Sequence, residues 1–274
     1  MKMTVPRILV AVAILFGLLS TALGNAVWLE KLHSRPMSAI TRSGEGAPLH
    51  THRLALVIGN SNYPDADSPF PQVTRDAEGL ANALRKDSFR VAVVGNATRS
   101  DMTRAINHLA ARVHPNSTVL VYFGGYCVQS DGENYLIPVD AKIWNEQDVR
   151  REGVSIDRLL SKFRTSGARV RLAVIEASRR NPYERRFRVY SHGLAPIQAN
   201  TNTLILSSAA PDQVADDTDE PHSQLMTVLL AQMNSSKGIE EVFRNTRNAV
   251  AATTQRQQIA TASPAFTAGP SEIE

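Results

Sequence analysis

The stretch Val-Leu-Val-Tyr-Phe-Gly-Gly-Tyr-Cys-Val-Gln, residues 119–129, decides the fold. Its first five residues predict a buried strand, because continuous apolar runs of this length are typical of parallel sheets that are covered on both faces. The strand ends at two glycines, so the next side chain, Tyr126, is expected at the edge of the sheet. Open α/β sheets bind ligands at the carboxyl ends of their strands. Tyr126 is therefore the first candidate functional residue.

Strands and helices alternate on both sides of this stretch. Apolar runs closed by glycine or turn residues predict four more strands, at 53–58, 89–94, 169–176 and 203–208. Apolar residues at helical spacing predict helices over 76–84, 99–113, 154–163, 222–233 and 239–251. Asp131-Gly132 indicates a hairpin turn between residues 128 and 140. This alternation predicts an α/β fold, a three-layer α/β/α sandwich with a mostly parallel central sheet.

The first 29 residues predict a targeting segment. Lys2 and Arg7 precede an uncharged run over 8–29, which has the basic and apolar regions of an export signal. The same run is long enough to span a bilayer, so a cleaved signal peptide and a retained membrane anchor both stay open. We expect an exported, periplasmic or otherwise extracytoplasmic protein. The rest of the chain is interpreted as a linker at 30–52, a folded domain at 53–255 and a flexible tail at 256–274.

Composition narrows the classes of partner. The formal net charge is +4, and without Lys2 and Arg7 there are 28 basic residues against 26 acidic ones. That balance is too weak to indicate nucleic-acid binding. The single cysteine excludes an intramolecular disulfide and a cysteine-cluster metal site. We expect no nucleic-acid partner and membrane contact only through the N-terminal segment, while the composition leaves the oligomeric state open.

A second candidate residue, Ser178, follows the strand predicted at 169–176. The carboxyl ends of neighbouring parallel strands meet at one edge of a sheet, so Tyr126 and Ser178 are expected to lie close together. A nucleophile at this edge would need a base within hydrogen-bond reach. The two residues therefore form a candidate catalytic pair.

Four motifs, taken in order, resemble the caspase-like family of metacaspases and bacterial orthocaspases. They are Leu-Ala-Leu-Val-Ile-Gly-Asn-Ser-Asn-Tyr at 54–63, Asp-Ala at 76–77, Glu-Asn-Tyr-Leu-Ile-Pro-Val-Asp at 133–140 and Gly-Leu-Ala-Pro at 193–196. Each motif alone is a moderate signal, but their order and spacing are specific. The resemblance covers about residues 53–251. It implies the caspase-like sandwich and membership of a family of cysteine endopeptidases.

The family's catalytic histidine and cysteine are both replaced. In Tyr-Phe-Gly-Gly-Tyr-Cys, Tyr126 stands where the family has its histidine; in Glu-Ala-Ser-Arg-Arg-Asn-Pro, Ser178 stands where it has its cysteine. A tyrosine with a pKa of about 10 is a poor base near neutral pH, and a serine hydroxyl has no appreciable anion there. We interpret the chain as a catalytically inactive homologue. The alternative is an active hydrolase with Arg/Lys specificity that uses Ser178 as nucleophile, helped by Tyr126 or another base.

The resemblance also implies an acidic pocket for arginine or lysine. Asp76 and Glu176 match the family's pocket acids, and Gly124 stands where a small pocket residue is expected. Two carboxylates can bind a guanidinium bidentately. The competing interpretations are that Asp76 is an acid at a helix N-terminus and Glu176 a satisfied strand-end carboxylate. The pocket interpretation predicts basic peptide or protein segments as partners.

The other reactive residues are interpreted as structural or surface groups. Cys127 is either a displaced nucleophile or a small residue where the family has glycine, and we favour the second because the motif places no histidine nearby. His192 and His222 are expected to be surface or loop histidines. The arginines of 179–188 predict a solvated loop, or else a segment of which one arginine fills the protein's own acidic pocket.

No cofactor or metal site is predicted from the residues themselves. The resemblance to metacaspases leaves Ca²⁺ as the one candidate. The acids of the stretch 216–220 offer hard oxygen ligands, but their spacing is that of a solvated turn rather than of a known calcium loop.

Overall fold

A computed structural model describes residues 53–64, 70–177, 194–208, 220–234, 238–253 and 261–262. The chain divides after Pro48, and every described residue belongs to the second unit, Leu49–Glu274. The predicted targeting segment and linker, Ser178, the arginine-rich loop with His192, and the acids at 216, 217 and 219 lie outside the described residues. None of the helices in the described part is both long enough and apolar enough to cross a membrane.

Within the described residues there are nine strands and six helices. The strands are β1 Arg53–Gly59, β2 Arg90–Gly95, β3 Thr118–Gly124, β4 Cys127–Ser130, β5 Glu133–Leu136, β6 Val154–Ser155, β7 Val170–Glu176, β8 Thr203–Ser207 and β9 Thr261–Ala262. The helices are α1 Pro71–Lys86, α2 Arg99–Ala110, α3 Glu146–Glu152, α4 Ile156–Thr165, α5 Gln224–Met233 and α6 Ile239–Thr253.

The central sheet confirms the predicted α/β fold. Its strands lie in the order β2-β1-β3-β7-β8-β9, and all but β9 run parallel. Strands β3 and β7 are direct neighbours, and Gly124 lies opposite Glu176 in their register. The two strand ends that carry the candidate site therefore lie side by side, as the sequence predicted.

Helices cover both faces of this sheet. Alternate residues of each strand face opposite sides, so Leu56 and Ile58 pack with α2 and α4, whereas Ala55 and Val57 pack with α1, α5 and α6. The largest fully buried side chains of the two layers include Met102, Phe163, Leu80, Leu84 and Phe243. Burying a side chain of this size contributes about 1.5–3 kcal/mol, so the two layers fix the sheet edge on which the site lies.

The predicted hairpin is confirmed. Strands β4 and β5 pair antiparallel around Asp131 and Gly132, which both have positive φ (57° and 79°), the geometry of a type I′ turn. Together with β6 they form a second, three-stranded sheet. Its apolar side chains form a third cluster that includes Tyr63 and Tyr126.

Several element boundaries differ from the sequence predictions. Helix α1 begins at Pro71, five residues earlier than expected, because proline is well tolerated in a first helical turn. The predicted helix at 154–163 starts as the short strand β6 before α4 begins. Helix α3 was not predicted, and neither was β9, which pairs with β8 from within the predicted tail. Both elements are too short to give a periodic apolar pattern.

Candidate functional site

The glycines at the end of β3 are required by close contacts. Gly125 has φ of 151°, and a Cβ atom there would lie 2.5 Å from the Tyr63 hydroxyl oxygen. Its backbone N–H donates to the carbonyl oxygen of Glu176 at 3.3 Å. The chain therefore turns sharply beside the end of β7 and continues into Tyr126.

Tyr126 is packed among aromatic side chains. Its ring centroid lies 4.8 Å from that of Tyr63 and 5.0 Å from that of Phe70, and 8% of the residue is exposed. The Tyr126 backbone N–H donates to the Tyr63 hydroxyl at 3.0 Å, and this hydroxyl donates to the carbonyl of Ile137 at 2.9 Å. Tyr126 is thus part of the core of the smaller sheet. Its predicted pairing with Ser178 stays a prediction, since Ser178 lies outside the described residues.

The two predicted pocket acids lie on either side of one residue, Ser223. The Ser223 backbone N–H is 3.2 Å from each carboxylate oxygen of Asp76. Its hydroxyl donates to Oε2 of Glu176 at 3.0 Å and accepts from the backbone N–H of Met226 at 3.0 Å, which caps helix α5. Ser223 therefore joins α1, β7 and α5 at the carboxyl edge of the sheet.

His222 completes this arrangement. Its Nδ1 is 2.8 Å from Oδ1 of Asp76, and only 33% of its side chain is exposed. The ring lies against Gly79, where an added Cβ would be 3.2 Å from the imidazole Cε1. Of the two expectations for this residue, a loop position is confirmed, since His222 precedes α5, whereas a surface position is not, because its ring contacts the buried Asp76 on α1.

Burial dominates the electrostatics of Asp76. The residue is 0% exposed and Glu176 is 3% exposed. Burial raises the pKa of the Asp76 carboxyl, while the hydrogen bonds from His222 and Ser223 oppose that rise. Asp76 is in the second turn of α1, so its interpretation as a helix N-terminal acid is also wrong. A buried carboxylate of this kind is stabilised by donors and by positive charge.

Gly124 ends β3 opposite Glu176 in the register of β3 and β7. A Cβ atom there would lie 2.6 Å from the hydroxyl oxygen of Tyr122 and 3.0 Å from Cγ1 of Val73. The position therefore requires a residue without a side chain, because the Tyr122 hydroxyl lies over it. The expectation of a small residue at this point agrees with the geometry, and its role in a pocket stays a prediction.

Cys127 belongs to the main hydrophobic core. It is 3% exposed, and burial raises the pKa of its thiol far above the ordinary value. A thiol that does not ionise is a poor nucleophile. These observations favour the interpretation of Cys127 as a small buried residue.

No metal cluster is found in the part of the chain that the structure describes, where no three histidine, cysteine or acidic side chains are grouped to hold an ion. Of the predicted acidic turn only Glu220 is described. Its backbone carbonyl accepts from Nε2 of Gln72 at 2.9 Å. The Ca²⁺ suggestion stays a prediction.

Comparison with known proteins identifies a match to the caspase domain family. The model of the caspase domain, Peptidase_C14, matches residues 52–268. Mucosa-associated lymphoid tissue lymphoma translocation protein 1 of Homo sapiens is 30% identical over 97 residues, which are 34% of this chain and 11% of that protein. The homolog of Mus musculus is 29% identical over 99 residues, 35% of this chain and 11% of that protein. The matched region thus spans 11% of the length of these curated relatives.

Proposed function

Because the chain belongs to the caspase-domain family, we propose that it is an exported caspase-domain protein that has lost peptidase activity and binds arginine- or lysine-containing segments. One observation carries the proposal: Asp76 and Glu176, from two different elements, share Ser223 as a hydrogen-bond donor. The two carboxylates are therefore close enough to act on one ligand group.

Burial gives these carboxylates a preference for cations. An ionised carboxylate away from water is costly unless donors or a positive charge compensate it. Burial already raises the pKa of Asp76, which reflects that cost. A guanidinium offers five N–H donors in a planar fork that matches carboxylate oxygens. An arginine side chain is therefore the ligand group that best fits the pair, and lysine is the second.

The surroundings of Tyr126 support the loss of activity. Its ring packs against Tyr63 and Phe70 instead of standing alone at the sheet edge. A phenol is a poor general base near neutral pH, and the burial of Cys127 disfavours a displaced thiolate. We expect no turnover of fluorogenic peptides that contain arginine or lysine. Turnover by the wild type that disappears in Ser178→Ala would overturn the claim of inactivity.

Binding is tested by titrating an arginine-terminated peptide against the purified protein. We expect Asp76→Asn and Glu176→Gln each to weaken binding about tenfold or more, because each removes a charge-assisted hydrogen bond. Glu78→Gln is the matched control, since Glu78 is an exposed acid on the same helix. Equal affinities of the wild type and all three variants would rule out the acid pair as the binding site.

The proposal of export rests on the sequence of residues 1–29, in which basic residues precede an apolar run. Fractionation of cells that express the full chain, and of cells that express a variant lacking residues 1–29, tests it. We expect the full chain outside the cytoplasm and the shortened chain inside. The same cytoplasmic location for both would contradict export.

A second function, hydrolysis with Ser178 as nucleophile, is favoured by the contact between His222 and Asp76. A buried carboxylate that accepts from Nδ1 holds the imidazole in one orientation, as in serine hydrolases. Among the described residues, Nε2 of His222 has no hydrogen-bond partner, which leaves it able to accept a proton. This function predicts turnover that both Ser178→Ala and His222→Ala abolish. Turnover that survives His222→Ala would exclude His222 as the base.

A further inference from the structure

We propose that the segment Glu220–Ser223, here called the strap, is an internal competitor of the basic ligand, which binds only after displacing His222 from Asp76. The proposal rests on the proposed function, because it concerns access to the same two carboxylates. It adds a regulatory role for a segment that precedes helix α5.

The strap satisfies the acids with its own donors. His222 Nδ1, the Ser223 N–H and the Ser223 hydroxyl all lie within 3.2 Å of carboxylate oxygens of Asp76 or Glu176. These donors occupy both oxygens of Asp76 and Oε2 of Glu176, to which a guanidinium would bind. Because the two acids are 0% and 3% exposed, an incoming side chain must displace groups that already cover them.

The strap is attached to α1 by side chains that bind its backbone. Nε2 of Gln72 donates to the carbonyl of Glu220 at 2.9 Å, and Nε of Arg75 donates to the carbonyl of Pro221 at 2.6 Å. The strap takes part in no strand pairing. A segment held by a few polar contacts opens at a lower cost than an element inside a sheet. Glu220 and Pro221 of the strap are exposed, and the side chain of His222 is 33% exposed.

If the strap competes with the ligand for the two acids, a variant that weakens the strap should bind the ligand more tightly. If the strap occupies the acids for most of the time, the apparent affinity for a ligand equals the intrinsic affinity multiplied by the fraction of molecules in which the strap is open. Removing the imidazole raises that fraction. We expect His222→Ala to bind the probe about tenfold more tightly, the effect of removing one charge-assisted hydrogen bond from the competing state.

A second variant loosens the strap without touching the acids or changing charge. Gln72→Ala removes the contact with the Glu220 carbonyl, and we expect it to tighten binding about threefold, because it removes one neutral hydrogen bond. His108→Ala is the matched control for loss of an imidazole, since His108 is exposed on α2. Thermal melting of each full-length variant checks that it is folded.

The probe is Nα-acetyl-argininamide, titrated by calorimetry against the wild type, the two strap variants and the control. Displacement is also read directly: saturating probe should speed hydrogen exchange at the Ser223 amide in the wild type, because its bond to Asp76 is lost. Slower or unchanged exchange in the bound state would overturn displacement of the strap.

The possible results separate the two proposals. Tighter binding by His222→Ala and Gln72→Ala, with His108→Ala equal to the wild type, supports the strap. Binding that depends on Asp76 but is equal in the wild type and both strap variants overturns the strap and leaves the proposed function standing. If no folded variant binds the probe, including His222→Ala, the proposed function fails, and an internal competitor is rejected with it.

Discussion

Tyr63→Phe tests how the chain holds the end of β3, where Tyr126 is placed. The substitution removes one hydroxyl that accepts from the backbone N–H of Tyr126 and donates to the carbonyl of Ile137. That carbonyl keeps a second donor, Nδ2 of Asn60 at 3.2 Å, so it loses one of two partners. The Tyr126 N–H loses its acceptor in a buried position. An orphaned buried donor costs about 1–3 kcal/mol and an ordinary hydrogen bond about 1 kcal/mol, so we expect a loss of about 2–4 kcal/mol.

Urea unfolding of the wild type and the variant measures this difference. Tyr135→Phe is the matched control, because it removes a hydroxyl from the same cluster that donates only to the half-buried Glu133 carboxylate. That change should cost about 1 kcal/mol or less, since water can replace the lost donor. Equal losses in the two variants, or a loss below about 0.5 kcal/mol in Tyr63→Phe, would refute the claim that the Tyr63 hydroxyl holds the strand end.

Three further predictions follow from single groups. Cys127 is buried with a raised thiol pKa, so DTNB should label it only after unfolding; fast labelling of the folded protein would contradict this. Thr98→Ala removes the hydroxyl that caps α2 and should cost about 1 kcal/mol in urea unfolding, whereas Thr103→Ala on the same helix should change little. Because the pKa of Asp76 is raised in the folded state, its contribution to stability is complete below its unfolded pKa of about 3.9 and is lost as the pH rises through the folded pKa. The stability of the wild type relative to Asp76→Asn should therefore fall as the pH rises above about 4, and a rising difference would contradict the sign of the shift.

The fold could be predicted because its main elements are long and locally regular. The continuous apolar run at 119–123 predicts a buried strand, and the helical spacing of apolar residues predicts α1 and α2. Both signals can be found in the local sequence. The short elements could not be predicted in the same way. Helix α3 has seven residues and β9 has two, so neither gives a periodic apolar pattern, and the local signal for α3 is only the capping box of Asn145 and Asp148.

The candidate site was predictable in part. Asp76 and Glu176 could be named because they belong to motifs at helix and strand positions. Ser223 carried one local signal, since a serine before an apolar helical run is a typical N-cap. Its bond to Glu176 spans 47 positions, and the contact of His222 with Asp76 spans 146. The contact of His222 with Asp76 arises from the packing of α5 against α1. No local sequence pattern predicts this packing.

The role of Ser223 in α5 limits what must move when the acids are exposed. Its hydroxyl accepts from Met226, and its carbonyl accepts from the Thr227 N–H at 2.8 Å, so the first turn of the helix does not depend on either carboxylate. A ligand can therefore replace the bonds to Asp76 and Glu176 while the helix start remains formed. His222 has no such second role, because its one hydrogen bond in the described part of the chain is to Asp76. His222→Ala removes a charge-assisted hydrogen bond to Asp76 itself. Gln72→Ala removes one neutral contact with the strap backbone, while Arg75 still holds the strap. We therefore expect His222→Ala to change ligand affinity more than Gln72→Ala does.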